Sequence, residues 1–192
     1  MSDVHRPELW LVRHGPTAWS EAGRHTSSTD LPLLTEGEGT ARALAPALAG
    51  VGFDLVLTSP LARARRTAAL AGYGDAEVDA DLTEWGYGDY EGLTTATIRQ
   101  SVPDWTIWTH PAPGGESAEE VGARLDRVVA RARGGAHRTL VFAHAHSLRV
   151  LAARWLGLAP SEGRLLRLDT ATISVLGFER ETPVVIRWNA PA

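Results

Sequence analysis

No cysteine occurs among the 192 residues. That absence excludes disulfide bonds, thiolate nucleophiles and zinc-thiolate centres, so any chemistry must come from other side chains. No apolar run approaches the roughly 20 residues that span a bilayer, and the opening MSDVHRPELWLV lacks a basic segment followed by a long apolar stretch. A cytoplasmic protein with no membrane partner is therefore expected. Excess positive charge is missing too. The 19 Lys and Arg stand against 23 Asp and Glu, a formal −4 that offers no general attraction for nucleic acid. Any anion site must be local. Repeats, heptads and low-complexity blocks are also absent.

What is present is 44% apolar composition over a length that buries one substantial core. The expectation is one domain over 1–192 with an irregular lid or insertion at about 86–116, where three prolines and Gly114-Gly115 fall. Apolar runs of strand length at Glu8–Val12, Asp54–Thr58 and Thr139–Ala143, the last ending in His144-Ala145-His146-Ser147, alternate with helical patterns at Thr35–Leu48, Pro60–Ala71, Ser117–Arg133 and, after Ser147, a helix through Leu158. Ser59-Pro60 reads as the cap and first turn of the second of these helices. A short strand near Glu77–Asp79 and two late strands, Thr172–Leu176 and Val184–Trp188, complete the series. Strands alternating with helices predict an α/β fold: a three-layer α/β/α sandwich with a mainly parallel central sheet, whose ligands bind beyond the carboxyl ends of the strands.

Two histidine clusters occupy such ends. Arg13-His14-Gly15 sets a cation, an imidazole and a flexible residue directly after a buried strand, an arrangement suited to holding phosphate beside a nucleophile. Neutral imidazole attacks phosphorus, and guanidinium charge nearby both disfavours its protonation and stabilises the transition-state oxygens. Arg63 on the next helix and His144 at another strand end supply an anion clamp, with Arg66 one turn from Arg63 and Arg65 rotated away. Glu84, in a Gly- and aromatic-rich loop, is the candidate proton donor to the leaving alcohol, held protonated in a partly apolar pocket. His144 and His146, two apart, point the same way if the strand continues, a spacing that also suits a metal. Against a metal centre, Asp30, Asp54, Asp81 and Asp89 are scattered, so neither metal nor cofactor is expected.

The stretches Leu11 to Trp19, Ser59 to Ala68, Glu84 followed by Tyr87-Gly88-Asp89-Tyr90-Glu91-Gly92, and Val141 to His144 together resemble the histidine phosphatase superfamily, also called phosphoglycerate-mutase-like. The resemblance covers nearly the whole chain. It implies a phosphorylated His14, a phosphate pocket of Arg13, Arg63, His144 and Thr17, and Glu84 as proton donor. It further implies that Ser20, Arg24, Thr26, Ser27, Tyr87 and Ala145 surround the substrate. Trp19-Ser20, His25-Thr26, Thr29 to Leu33 and His144 to Arg149 resemble most the branch of acid phosphatases and sedoheptulose-bisphosphatase-type enzymes. The chain departs from the family pattern at Ala145, where Gly is usual, and at Ser27, where Gly is common. The arginine-paired insertion of cofactor-dependent mutases is not recognisable between Gly92 and Glu116. A metal-independent hydrolase of a small phosphate monoester is expected, with mutase-type transfer or a non-catalytic phospho-ligand module as rivals. A homodimer is the expected protein partner.

Overall fold

The computed structural model describes residues 6–192, so the first five residues of the opening segment fall outside it. Its elements in chain order are β1 (Glu8–Arg13), α1 (Ala18–Glu21), α2 (Thr35–Leu48), β2 (Leu55–Thr58), α3 (Ala62–Leu70), β3 (Glu77–Val78), α4 (Thr95–Ile98), α5 (Ala118–Arg133), β4 (Arg138–Ala143), α6 (Ala145–Trp155), β5 (Ile173–Glu179) and β6 (Thr182–Ala190). Among these, no helix is long and apolar enough to cross a membrane.

Six strands form one sheet in the order β3-β2-β4-β1-β5-β6. The first four run parallel, while β5 pairs antiparallel with β1 and β6 antiparallel with β5. Residue alternation in the parallel strands feeds two separate cores, because successive side chains point to opposite faces. Leu9, Leu11, Val141 and Ala143 pack with Val121, Leu125 and Val128 of α5 and Leu148 and Leu151 of α6. Val12, Leu140 and Phe142 pack on the other face with Leu44 and Leu48 of α2 and Ala68 of α3. Helices thus cover both faces of a mixed α/β sheet, the arrangement that continuous apolar strands require.

Three boundaries differ from the sequence expectation. α3 begins at Ala62, and Ser59 does not cap it; the Asp30 carboxylate, from a distant loop, accepts the Ala62 N–H at 2.9 Å instead. α6 stops at Trp155 because Gly157 turns left-handed (φ 75°) and the Leu158 N–H folds back on the Ala153 carbonyl at 2.9 Å. β5 and β6 are longer than their apolar runs, since their mutual hydrogen bonds carry them to a turn at Arg180. The 86–116 region contains a 3-10 turn at Gly88–Tyr90 and the single-turn α4, and it buries Tyr87, Ile98 and Trp105 against the core.

Candidate active site

Sheet register brings the two histidine clusters together. Arg13 lies opposite Ala143 in the β1–β4 pair, so the next residue of each strand is His14 and His144. Their rings stand 5.2 Å apart, and the His14 N–H donates to the Ala143 carbonyl at 3.0 Å. On the other side of β4, Ser59 follows β2 and donates its N–H to Phe142 at 2.9 Å. Three parallel strand ends therefore deliver every group of the floor.

His14 is 5% exposed. Its Nδ1–H donates to the Gly15 carbonyl at 2.8 Å, and an oxygen acceptor there fixes the proton on Nδ1. Nε2 is left with its lone pair and no partner among the described residues. Burial, followed by the charges of Arg13 and Arg63, pushes the His14 pKa well below its ordinary value, so the ring is neutral. Arg13 is held by the Leu168 carbonyl through Nη1 (2.7 Å), while its buried Nε has no partner.

Arg63 and His144 lie beneath this surface, both fully buried. Arg63 donates to the carbonyls of Thr29 (3.0 Å), Thr26 (3.2 Å) and Ser27 (3.1 Å), and its Nε donates to His144 Nδ1 at 3.2 Å. His144 then donates from Nε2 to Ser59 Oγ at 2.7 Å. Burial and the neighbouring His14 hold His144 well below its ordinary pKa, so it is a neutral link in this layer. The loop carrying the three carbonyls is fastened by Glu91, whose carboxylate accepts the N–H groups of Ser27 and Thr29. Arg66 faces elsewhere, paired with Glu38.

Glu84 is not in an apolar pocket. Its Oε1 accepts the N–H groups of Trp85 (2.9 Å) and Ser147 (2.8 Å), and Oε2 accepts that of His146 (3.1 Å). The last two are orphan donors in the first turn of α6, so Glu84 caps that helix from another loop. The loop is clamped by Arg124, which donates to the carbonyls of Asp81, Thr83 and Glu84 and pairs with Glu116. His144 and His146 do not point the same way, because α6 starts between them. His144 turns toward Arg63 and Ser59, whereas His146 shares a 2.6 Å hydrogen bond with the Tyr87 hydroxyl. Such a pair is not arranged to chelate.

Above the floor opens a cavity of about 250 Å³, which Arg13, His14, Thr17 and Glu84 all line. Of the expected substrate contacts, Ser20, Arg24, Thr26, Tyr87 and Ala145 also border it and Ser27 does not; of the expected phosphate pocket, Arg63 and His144 do not line it. Thr17 caps α1 in a reciprocal pair with Ser20. Ala145 lies within helix α6, a conformation that alanine adopts as readily as any residue, so no glycine is needed there.

The description of the histidine phosphatase superfamily (branch 1) matches residues 9–191. The chain belongs to that superfamily. It is 42% identical over 180 residues to an acid phosphatase from Mycobacterium tuberculosis, covering 92% of this chain and 89% of the relative. It is 37% identical over 185 residues to sedoheptulose 1,7-bisphosphatase from Saccharomyces cerevisiae, covering 79% and 68%. It is 38% identical over 204 residues to a 2,3-bisphosphoglycerate-dependent phosphoglycerate mutase from Methylocella silvestris, covering 95% and 92%. A solved structure from Mycobacterium tuberculosis superposes with TM-score 0.91 at 39% identity, covering 96% of this chain and 98% of that one.

In this histidine phosphatase, sequence reasoning missed Arg149, Arg167 and Leu168 on the cavity wall, and weighed His146, which also borders it, only as a metal ligand. Arg149 and His146 carried a readable signal, since residues five and two places beyond the strand-end His144 fall in the first turns of the helix it starts. Glu91 and Asp30 gave none, because their work is to hold backbone N–H groups of distant loops.

The loop that follows His14 also depends on two glycines that touch. A Cβ on Gly15 would lie 2.5 Å from the Gly37 carbonyl oxygen, and one on Gly37 would lie 2.3 Å from that of Pro16. Gly37 sits in α2, where alanine ordinarily gains up to about 1 kcal/mol. Gly37→Ala is nevertheless expected to lower Tm and kcat together, because backbone cannot yield as a side-chain tip can. Thermal denaturation and phosphate release check it, and a higher Tm with full activity would refute the contact.

Burial also ties stability to pH. His14, His144 and His146 are all held well below the ordinary histidine pKa, burial being the first cause in each. The unfolded chain takes up protons below about pH 6.5 that the folded site refuses, so stability is complete above that value and is lost as pH falls. Each histidine costs about 1.4 kcal/mol per pH unit once well below it. Tm should therefore drop steeply between pH 6.5 and 5. A flat profile there would contradict the neutral, buried state.

Proposed function

We propose that this enzyme hydrolyses a small phosphate monoester, such as a sugar phosphate, by transferring the phosphoryl group to His14 Nε2 and then to water, with no metal ion. The observation that carries the reading is the His14–Arg13 pair. The locked Nδ1–H leaves Nε2 as the free nucleophilic nitrogen, and Arg13 lines the same cavity.

In the first step the Nε2–P bond forms as the ester P–O bond breaks, with Arg13 and the Arg63–His144 layer offsetting the charge on the phosphoryl oxygens. Glu84 gives its proton to the departing alkoxide. In the second step water attacks the phosphohistidine, and the Glu84 carboxylate takes the water's proton. Oε2 accepts only one backbone N–H, which leaves it lone-pair capacity for that proton. Arginine supplies the charge neutralisation that a metal provides in other phosphatases.

Hydrolysis is favoured over mutase transfer by the 92–116 segment. Its only arginine, Arg99, donates to the Trp105 carbonyl at 2.9 Å and is absent from the cavity wall. Phosphate release from sugar phosphates, phosphoglycerates and an aryl phosphate, run with chelator and without a bisphosphate primer, tests the reading. Turnover of at least one ester is expected. Activity abolished by chelator would remove the metal-free mechanism, and activity only with a primer would make the enzyme a mutase.

A further inference from the structure

The Leu168 carbonyl is the only hydrogen-bond acceptor that the Arg13 guanidinium meets among the described residues. Where that carbonyl stands therefore decides where Arg13 meets a phosphoryl group. Leu168 belongs to no strand or helix, so its position must come from its neighbours. Both neighbours are gripped by β6. Trp188 donates its indole Nε1–H to the Arg167 carbonyl at 2.6 Å, and Asn189 takes the other side. Asn189 Oδ1 accepts the Asp169 N–H at 2.7 Å and the Thr172 hydroxyl at 3.0 Å, and its Nδ2 donates to Asp169 Oδ2 at 2.8 Å. Within the same turn the Ala171 N–H donates to the Arg13 carbonyl at 3.1 Å, so the turn holds the backbone of the arginine as well as its side chain.

An irregularity of the sheet puts Asn189 in place for this. Between the pairs Val175–Arg187 and Ile173–Ala190, β6 takes one residue more than β5, and Asn189 falls in that bulge with φ 51°. Asparagine is among the few non-glycine residues that adopt left-handed backbone readily. Its own N–H donates to the buried Ser174 hydroxyl at 2.9 Å, which fixes the root of the side chain. We propose that Asn189 is a positioning residue for phosphoryl transfer, acting through the Leu168 to Thr172 turn to aim Arg13 at the phosphoryl group. The inference rests on the hydrolytic reading in taking Arg13 as the cation that meets phosphate.

The test begins with Asn189→Gly, which keeps the left-handed backbone and removes the side-chain bonds. It should lower kcat/KM for an aryl phosphate by about 10- to 100-fold, the cost of misplacing a charged clamp, and weaken calorimetric binding of orthovanadate by a similar factor. In an Arg13→Lys background, where a flexible ammonium needs no fixed fork, the same substitution should cost less than about threefold. An equal loss in both backgrounds would mean that Asn189 only supports the fold, and overturns the proposal. Asn189→Asp should be impaired because its carboxylate meets that of Asp169, and adding Asp169→Asn should restore most of the activity by reversing the pairing of amide with carboxylate. No recovery in the swapped pair overturns the proposal as well. Should the glycine variant not fold, Asn189→Asp takes its place in the comparison with Arg13→Lys. Orthovanadate reads the position of Arg13 without turnover. If no ester is hydrolysed yet Asn189→Gly weakens orthovanadate binding only where Arg13 is present, the hydrolytic reading fails and the positioning role stands. If esters are hydrolysed and Asn189→Gly changes kcat/KM by less than about twofold, the positioning role fails and the hydrolytic reading stands. An intact protein that neither hydrolyses esters nor binds orthovanadate removes both.

Discussion

His14→Ala should lower phosphate release by at least about 10⁴-fold on every ester, the scale on which removal of a covalent nucleophile acts. The expectation follows from the absence of a substitute. His144, the nearest imidazole, accepts from Arg63 at Nδ1 and donates to Ser59 from Nε2, so neither nitrogen is available to phosphorus. His146 has its Nδ1 engaged with the Tyr87 hydroxyl. Rapid quench of the native enzyme with radiolabelled substrate should trap protein-bound phosphate that is stable in alkali and labile in acid, as a phosphoramidate is. The His14→Ala protein should trap none. Label retained in the variant, or turnover within about tenfold of native, would assign the nucleophile elsewhere.

Glu84→Gln should separate the two chemical steps. For an alkyl phosphate, whose leaving oxygen needs a proton, kcat/KM should fall by about 10²- to 10⁴-fold. For an aryl phosphate, which departs unaided, kcat/KM should change by less than about tenfold, while kcat falls because no carboxylate deprotonates the attacking water. Phosphoenzyme should then accumulate and appear as a burst of phenol. Glutamine retains an acceptor oxygen for the backbone donors that Glu84 serves, although its amide cannot accept from all three. Losses of equal size on both substrates, without a burst, would show that Glu84 acts by holding the first turn of α6 rather than by moving protons.

Much of this arrangement was legible in the residues themselves. Runs such as Leu9-Trp10-Leu11-Val12 and Leu140-Val141-Phe142 are apolar on both faces, which identifies strands covered by helices on either side, and their abrupt polar ends mark where a site must lie. His14, Arg13 and His144 were readable for that reason. Glu84 was found, but its surroundings were not, because the donors that receive it belong to a helix start about sixty residues away, a separation that no local pattern encodes. The same applies to Asp30 at the start of α3 and Glu91 beneath the Thr26–Thr29 carbonyls. Periodicity reports which face of an element is buried; it is silent on which distant N–H a carboxylate will meet. The His144–His146 spacing misled because it assumed a continuing strand, whereas His144 is the residue at which extended backbone gives way to α6.

The position of β4 has a consequence for how activity arises. This strand is made after β1, β2 and β3, yet it lies between β2 and β1 in the sheet. A chain elongated only as far as β3 has His14 but not the Ala143 carbonyl that receives its N–H, the imidazole that joins Arg63 to Ser59, or the helix start that receives Glu84. These groups therefore meet only when a central strand pairs between two that precede it in the chain, and closing so long a loop makes non-local pairing of this kind slow. The regain of phosphatase activity during refolding would therefore time the completion of the sheet itself.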